Sequence, residues 1–306
     1  MQILHYTLRR REAAERMIDM KLTEILNKRM SVSFEVFPPK SDKPLEPLMS
    51  TLDRLNALGP DMISCTHGAG GTNKGRQSEI LQYIASLGTT AMANYTCIAN
   101  KKSDILELVE EYKGLGVGTF LALRGDYPKG QHSTLGDFDY GYQLIGFMRE
   151  SFPELEIAGA CYPEKHLESP NMETEYSVML AKQDAGADFF VSQLCHDLDN
   201  YFRFRDRARA RGVTVPMVFG LMPVLAKEAT LKMALSNGCS VPKELAELIG
   251  KYGEEPDSFK KAGKELTLRC IDRLRREGVD GMHIFALNKY DDVADIVLAS
   301  GLRKLC

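Results

Sequence analysis

The feature that most constrains this chain is a series of short apolar runs, each closing on a polar residue. Residues 31–39 read SVSFEVFPP and carry Glu35. Residues 62–68 (MISCTHG) end in Thr66 and His67, and 119–126 (TFLALRGD) end in Arg124 and Asp126. Residues 156–163 (EIAGACYP) end in Tyr162, and 189–195 (FFVSQLC) carry Gln193. Runs this short and this apolar read as parallel strands buried on both faces. Polar side chains gathered at the C-terminal ends of such strands are where a (β/α)8 barrel keeps its reactive groups.

The rest of the chain repeats the alternation. Strands are predicted over 31–37, 62–67, 90–97, 119–124, 156–161, 189–194, 215–221 and 281–287. Helices are predicted over 46–58, 75–87, 103–113, 140–150, 172–184, 198–211, 226–236, 242–252, 256–277 and 290–300. Helix 262–277 is representative: Leu266, Cys270, Ile271 and Leu274 make its apolar stripe, and Gly278 supplies the left-handed residue that ends it. Eight strands, each followed by at least one helix and with no linker between them, favour a single-domain (β/α)8 TIM barrel. An open doubly wound sheet more often begins with G-x-G-x-x-G after its first strand, and here that position reads FPPK. Residues 31–306 are expected to form the barrel. Residues 1–30 are expected to form a helical extension that covers its closed end or packs beside it.

Composition narrows the function. Lys and Arg number 39 against 42 Asp and Glu, and no basic stripe runs along the chain, so nucleic acid is not an expected partner. The basic run 203–211 (RFRDRARAR) reads as the solvated face of a helix. Seven cysteines include no C-x-x-C pair, which argues against a disulfide framework or an iron–sulfur cluster held by this chain. Free thiols fit a reducing, cytoplasmic setting. No apolar run approaches the ~18 residues of a membrane span, and the Arg- and Glu-rich start has no signal-peptide core.

Several residues could do chemistry. Glu35, flanked by Phe34 and Val36, loses hydration on either face of its strand, and a carboxyl kept protonated in this way is a general acid; a buried ion pair with a neighbouring strand is the alternative. Arg124-Gly125-Asp126 offers a cation for an anion, a glycine for close backbone approach and an acceptor for ring N–H groups, or else a strand-ending turn with a surface ion pair. Residues 68–72 (GAGGT) could cradle phosphate at a helix start but lack the Gly-Lys-Ser/Thr of a Walker loop, and a tight turn reads as well. In 162–166 (YPEKH), Tyr162 and His166 could stack on a flat cofactor or simply pack a loop. Cys65, His67, Cys97, Cys161, Cys195 and His196 fall near strand ends without the usual ligand spacing, so no metal site is expected. No G-x-S-x-G or triad supports hydrolase chemistry.

Together, SFEVFPP (33–39), ALRGD (122–126), ACYPE (160–164), DAGAD (184–188) followed by Gln193, and ALN (286–288) resemble the methylenetetrahydrofolate reductase family over about residues 20–302. The resemblance implies a flavoprotein TIM barrel of one-carbon metabolism and methionine biosynthesis. It would reduce 5,10-methylenetetrahydrofolate to 5-methyltetrahydrofolate with FAD as the hydride carrier, hydride passing from the reduced flavin to the iminium form of the substrate. It implies that Glu35 is the general acid, that Asp126 contacts the pterin and tunes the flavin, and that Gln193 and Lys289 bind folate. It further implies that Thr66, Arg124, Gly125, Asp126, Tyr140, Gly141, Tyr162, His166 and Lys182 hold FAD.

Departures from the family bear on the electron donor. Ala229 and Met233 stand where NADH-using relatives supply a glutamine and an aromatic residue, and Asn94 replaces a usual histidine. The expected donor is therefore NAD(P)H or an iron–sulfur partner protein, in an oligomer or complex. The alternatives are a non-redox pterin-binding barrel methyltransferase or lyase, and a folate-binding subunit without turnover.

Overall fold

The architecture follows from alternation along the strands. In the computed structural model, which describes residues 21–67, 74–127 and 135–304, strand β1 (Ser31–Val36) sends Val32, Phe34 and Val36 outward into an apolar layer beneath the helices. Ser33 and Glu35 take the opposite parity and face the interior, because successive side chains on a strand alternate faces. The other strands are β2 (Met62–Cys65), β3 (Thr90–Thr96), β4 (Thr119–Leu123), β5 (Glu156–Cys161), β6 (Phe189–Ser192), β7 (Met217–Leu221) and β8 (Gly281–Phe285). Each is parallel to its neighbours, and β8 pairs with β1 to close the barrel. The register sets Glu35 beside Ser64 on one side and Phe285 on the other, and Ser33 beside His283.

The helices, in chain order, are α1 (Leu22–Leu26), α2 (Glu46–Asn56), α3 (Lys74–Ser86), α4 (Lys102–Gly114), α5 (Gly141–Ser151), α6 (Met172–Asp184), α7 (Leu198–Ala210), α8 (Lys227–Ser236), α9 (Lys243–Tyr252), α10 (Pro256–Glu277) and α11 (Asp291–Ala299). From α2 onward they ring the sheet. α9 and α10 share a smaller apolar cluster of Val224, Leu245, Leu248, Phe259 and Leu266.

α1 closes the base of the barrel. Leu22 and Leu26 pack against Met62, Met92, Leu121, Ala158, Phe189 and Val218, which fill the lower interior. Glu156, buried at the first position of β5, accepts hydrogen bonds from Leu22 N (2.7 Å), Thr23 N (2.8 Å) and Thr23 Oγ1 (2.8 Å). A carboxylate from the sheet thus satisfies the unpaired N–H groups that open the helix. Residues 1–20, expected to be helical, lie outside the described residues.

Several strands stop earlier than their apolar patterns predict. β2 ends at Cys65 rather than 67, β6 at Ser192 rather than 194, and β8 at Phe285 rather than 287. Past β8 the cause is visible in the backbone, where Leu287 and Asn288 adopt left-handed φ values of 51° and 56°. Asn288 then clasps the end of β1, accepting from Phe37 N (3.0 Å) and donating to Phe37 O (2.8 Å). β7 starts at Met217 rather than 215, after Pro216, a residue without an N–H to give the ladder.

One close approach fixes the spacing of β6 and β7. A Cβ on Gly220 would stand 2.3 Å from Ser192 O and 3.1 Å from the Phe285 ring. Because the nearest atom is backbone, Gly220→Ala is expected to destabilise the protein by about 2 kcal/mol. The measurement is the urea midpoint, which should fall with little change in slope; an unchanged midpoint would mean the two strands part freely.

Candidate active site at the barrel mouth

The C-terminal ends of the strands surround a cavity of about 260 Å³. Its floor is apolar, with Leu121, Leu123 and Val191 above the packed base, and its polar groups include Glu35, Asn94, Tyr162, Gln193, Asn237 and His283. A larger cavity of about 570 Å³ lies elsewhere, against α7, α9 and α10; none of Glu35, Asp126 or Gln193 lines it.

Glu35 faces the barrel interior, its side chain 19% exposed. Its Oε2 accepts from Asn94 Nδ2 at 2.8 Å and lies 3.5 Å from Ser64 Oγ. His283, fully buried on β8, holds Nε2 3.3 Å from Ser64 Oγ and 3.7 Å from Glu35 Oε2, and its Nδ1 lies 2.7 Å from Ser33 Oγ. No Lys or Arg is paired with Glu35 among the described residues. The carboxyl therefore sits among neutral donors and an imidazole, with one side open to the cavity. Asn94 is itself buried, and its Oδ1 has no hydrogen-bond partner among the described residues. That is an acceptor awaiting a donor beside Glu35.

Asn94 is held from behind. Gln77 Nε2 donates to the backbone oxygens of Asn94 and Cys65, both at 2.9 Å, and its Oε1 accepts from Tyr112 Oη at 2.9 Å. His67 Nδ1 lies 3.0 Å from the same oxygen, so the expected strand-end histidine is part of this support. Thr66 is half-buried, and its N–H donates to Val36 O at 3.1 Å.

A second polar group gathers past β4 and β5. Arg124 pairs with both carboxylate oxygens of Glu168 (2.5 and 2.9 Å) and lies over the Tyr127 ring; Glu168 raises the guanidinium's proton affinity further. Gly125 takes φ +91°, and a Cβ there would meet Ile98 at 2.8 Å, so the turn requires glycine. Asp126 is exposed on the rim. Tyr162 lines the cavity, with His166 edge-on to its ring at 4.9 Å. Burial pushes the Tyr162 phenol up, and the charges of Glu175 and Asp126 add to this. Burial, with Arg124, pulls the His166 imidazole down. Tyr140 is exposed and stacks on Tyr142 (5.6 Å) at the start of α5, where Gly141 is buried.

Lys182 turns inward. It is buried, donates to Ala160 O at 2.6 Å, and stands over the Tyr162 ring at 5.8 Å, with burial lowering its pKa. Lys289 is exposed just past the Asn288 clasp. Ala229 is exposed, whereas Met233 lines the cavity.

The thiols near the strand ends are not poised for chemistry. Burial pushes Cys97 up to about 11 and Cys161 to about 12, and raises Cys65 and Cys195 well above the usual thiol range. Among the described residues no group of three His, Cys, Asp or Glu is placed to hold a metal ion. No described helix is long and apolar enough to cross a membrane. The loop at 68–72 lies outside the described residues.

Sequence reading alone missed Ser64, His283, Asn237 and Phe285. Parity was the available signal for the first two. Ser64 and His283 sit at interior positions in register with Glu35 and Ser33, but that pairing is defined only once the barrel closes.

Comparison with known proteins supplies the lineage. A family model described as methylenetetrahydrofolate reductase matches residues 21–301. The chain is 32% identical to 5,10-methylenetetrahydrofolate reductase of Pectobacterium carotovorum over 86% of this chain and 88% of the relative. It is 28% identical to that of Escherichia coli over 94% and 95%. Among solved structures, a protein from Clostridium thermocellum described as binding two copies of 5-methyl-5,6,7,8-tetrahydrofolic acid superposes with a TM-score of 0.63 at 16% identity. The match covers 91% of this chain and 97% of that one.

Proposed function

The chain belongs to the methylenetetrahydrofolate reductase family, and from that premise we propose that it is an FAD-dependent oxidoreductase converting 5,10-methylenetetrahydrofolate to 5-methyltetrahydrofolate. The observation that carries the reading is Glu35. It is a carboxyl with no Lys or Arg partner among the described residues, hydrogen-bonded by Asn94, with the His283 imidazole 3.7 Å away, and open to a mouth cavity that Tyr162 and Gln193 also line.

The substrate's one-carbon unit bridges two nitrogens, and the bridge must open to an iminium ion before the carbon can accept hydride. Opening needs a proton on the departing nitrogen, and Glu35, a carboxyl lining the cavity, would deliver it. Gln193 and Asp126 orient the pterin, with Lys289 at the outer rim. FAD, when bound and reduced by the electron donor, would supply the hydride.

The residues fit that group. The unpartnered Asn94 Oδ1 offers a buried acceptor at the mouth, and Tyr140 presents an exposed aromatic face at the start of α5. Thr66, Arg124, Gly125, Asp126, Tyr140, Gly141, Tyr162 and His166 would hold it. Lys182, over the Tyr162 ring, would hold it alongside Tyr162. Electrons would come from NAD(P)H or from an iron–sulfur partner protein.

The test is anaerobic absorbance spectroscopy of the purified protein with FAD. The protein should be yellow, bleach with NADH, NADPH or a reduced low-potential carrier, and recover its colour on adding 5,10-methylenetetrahydrofolate. A protein that takes up no flavin, or whose reduced form ignores the folate, overturns the proposal.

A further inference from the structure

Gln193 is held by more than its own strand. Its Oε1 accepts from Leu194 N at 2.8 Å, and its Nε2 donates to Asn237 Oδ1 at 3.0 Å. Asn237 follows the last turn of α8, and its Nδ2 donates to Met233 O at 2.8 Å. The two ends of this chain are backbone groups of fixed polarity, an N–H at Leu194 and a carbonyl at Met233. They decide which way both amides point. Flipping either amide would set N–H against N–H or oxygen against oxygen.

With those bonds made, Gln193 retains one N–H and one Oε1 lone pair. Both Gln193 and Asn237 line the mouth cavity. We propose that Asn237 is the positioning residue for Gln193, presenting its remaining donor and acceptor as a pair to the amide edge of a flat heterocycle in the mouth. This rests on the folate reading above and names how α8 serves it. Although Ala229 is turned to solvent, the helix reaches the substrate side through Asn237 and the adjoining Met233.

The test is isothermal titration of the flavin-loaded protein with 5-methyltetrahydrofolate, across wild type, N237L, Q193A and the double variant. N237L is expected to weaken binding about tenfold, since the Gln193 amide is then free to rotate. In the Gln193→Ala background the same substitution should change affinity by less than about twofold, because a residue acting through Gln193 has nothing left to act on. N237A serves if N237L does not fold, with the same expected pattern. A wild-type protein that binds no reduced folate overturns the reading on which this rests. Wild-type binding with N237L unchanged, or an equal loss in both backgrounds, overturns the role of Asn237 alone.

Discussion

Replacing Glu35 by glutamine is expected to slow folate reduction by about a thousandfold, the middle of the range for losing a positioned general acid. The amide is nearly isosteric, and its oxygen can still accept from Asn94, so the cavity should keep its shape. What it loses is the proton that opens the methylene bridge. Flavin reduction by the electron donor needs no such proton and should proceed at the wild-type rate. Rapid-mixing absorbance separates the two half-reactions. If E35Q reoxidises with 5,10-methylenetetrahydrofolate as fast as wild type, Glu35 is not the acid. If both half-reactions fail together, the carboxyl is structural. The neighbours sharpen the expectation, since Ser64 and Asn94 contact the same carboxylate oxygen while a buried His283 stands 3.7 Å from it.

Glu156→Ala should carry the largest cost in stability, about 3 kcal/mol. The substitution strands two N–H groups at the start of α1, and a hydrogen bond to a charged group is worth roughly 1.5–3 kcal/mol. It also frees the anchor of Leu22 and Leu26, whose burial completes the base of the barrel. Chemical denaturation should show a lower midpoint, and limited proteolysis should show faster cutting near residue 21. A wild-type midpoint would mean that α1 is held by its leucines alone. The effect should reach the mouth weakly, because the apolar layer of Met62, Met92, Leu121 and Phe189 separates Glu156 from Glu35.

These two carboxylates illustrate what could be read in advance. Glu35 stood out because a charged residue interrupts an apolar strand run. Glu156 instead opens its own strand, where nothing local distinguishes it from a solvated strand end. Its partners are 133 and 134 residues away. Tyr162 and Gln193 were legible as strand-end residues and do line the mouth. Lys182 donates to Ala160 O and stands over the Tyr162 ring, 5.8 Å from its centroid. A lysine's long stem leaves its head undetermined until the surrounding packing is known.

The order of strands and helices, the eightfold repeat and the polar strand tips were set by the sequence alone. Each depends on contacts a few residues apart, through the period of two in strands and near 3.6 in helices. The tertiary structure decided which parity faces inward, and which distant groups meet. Glu35 finds Asn94 59 positions away, Gln193 finds Asn237 44 away, and Ser33 finds His283 250 away. Those encounters exist because β8 closes on β1 and fixes the register of every strand between them, and no local pattern encodes that closure.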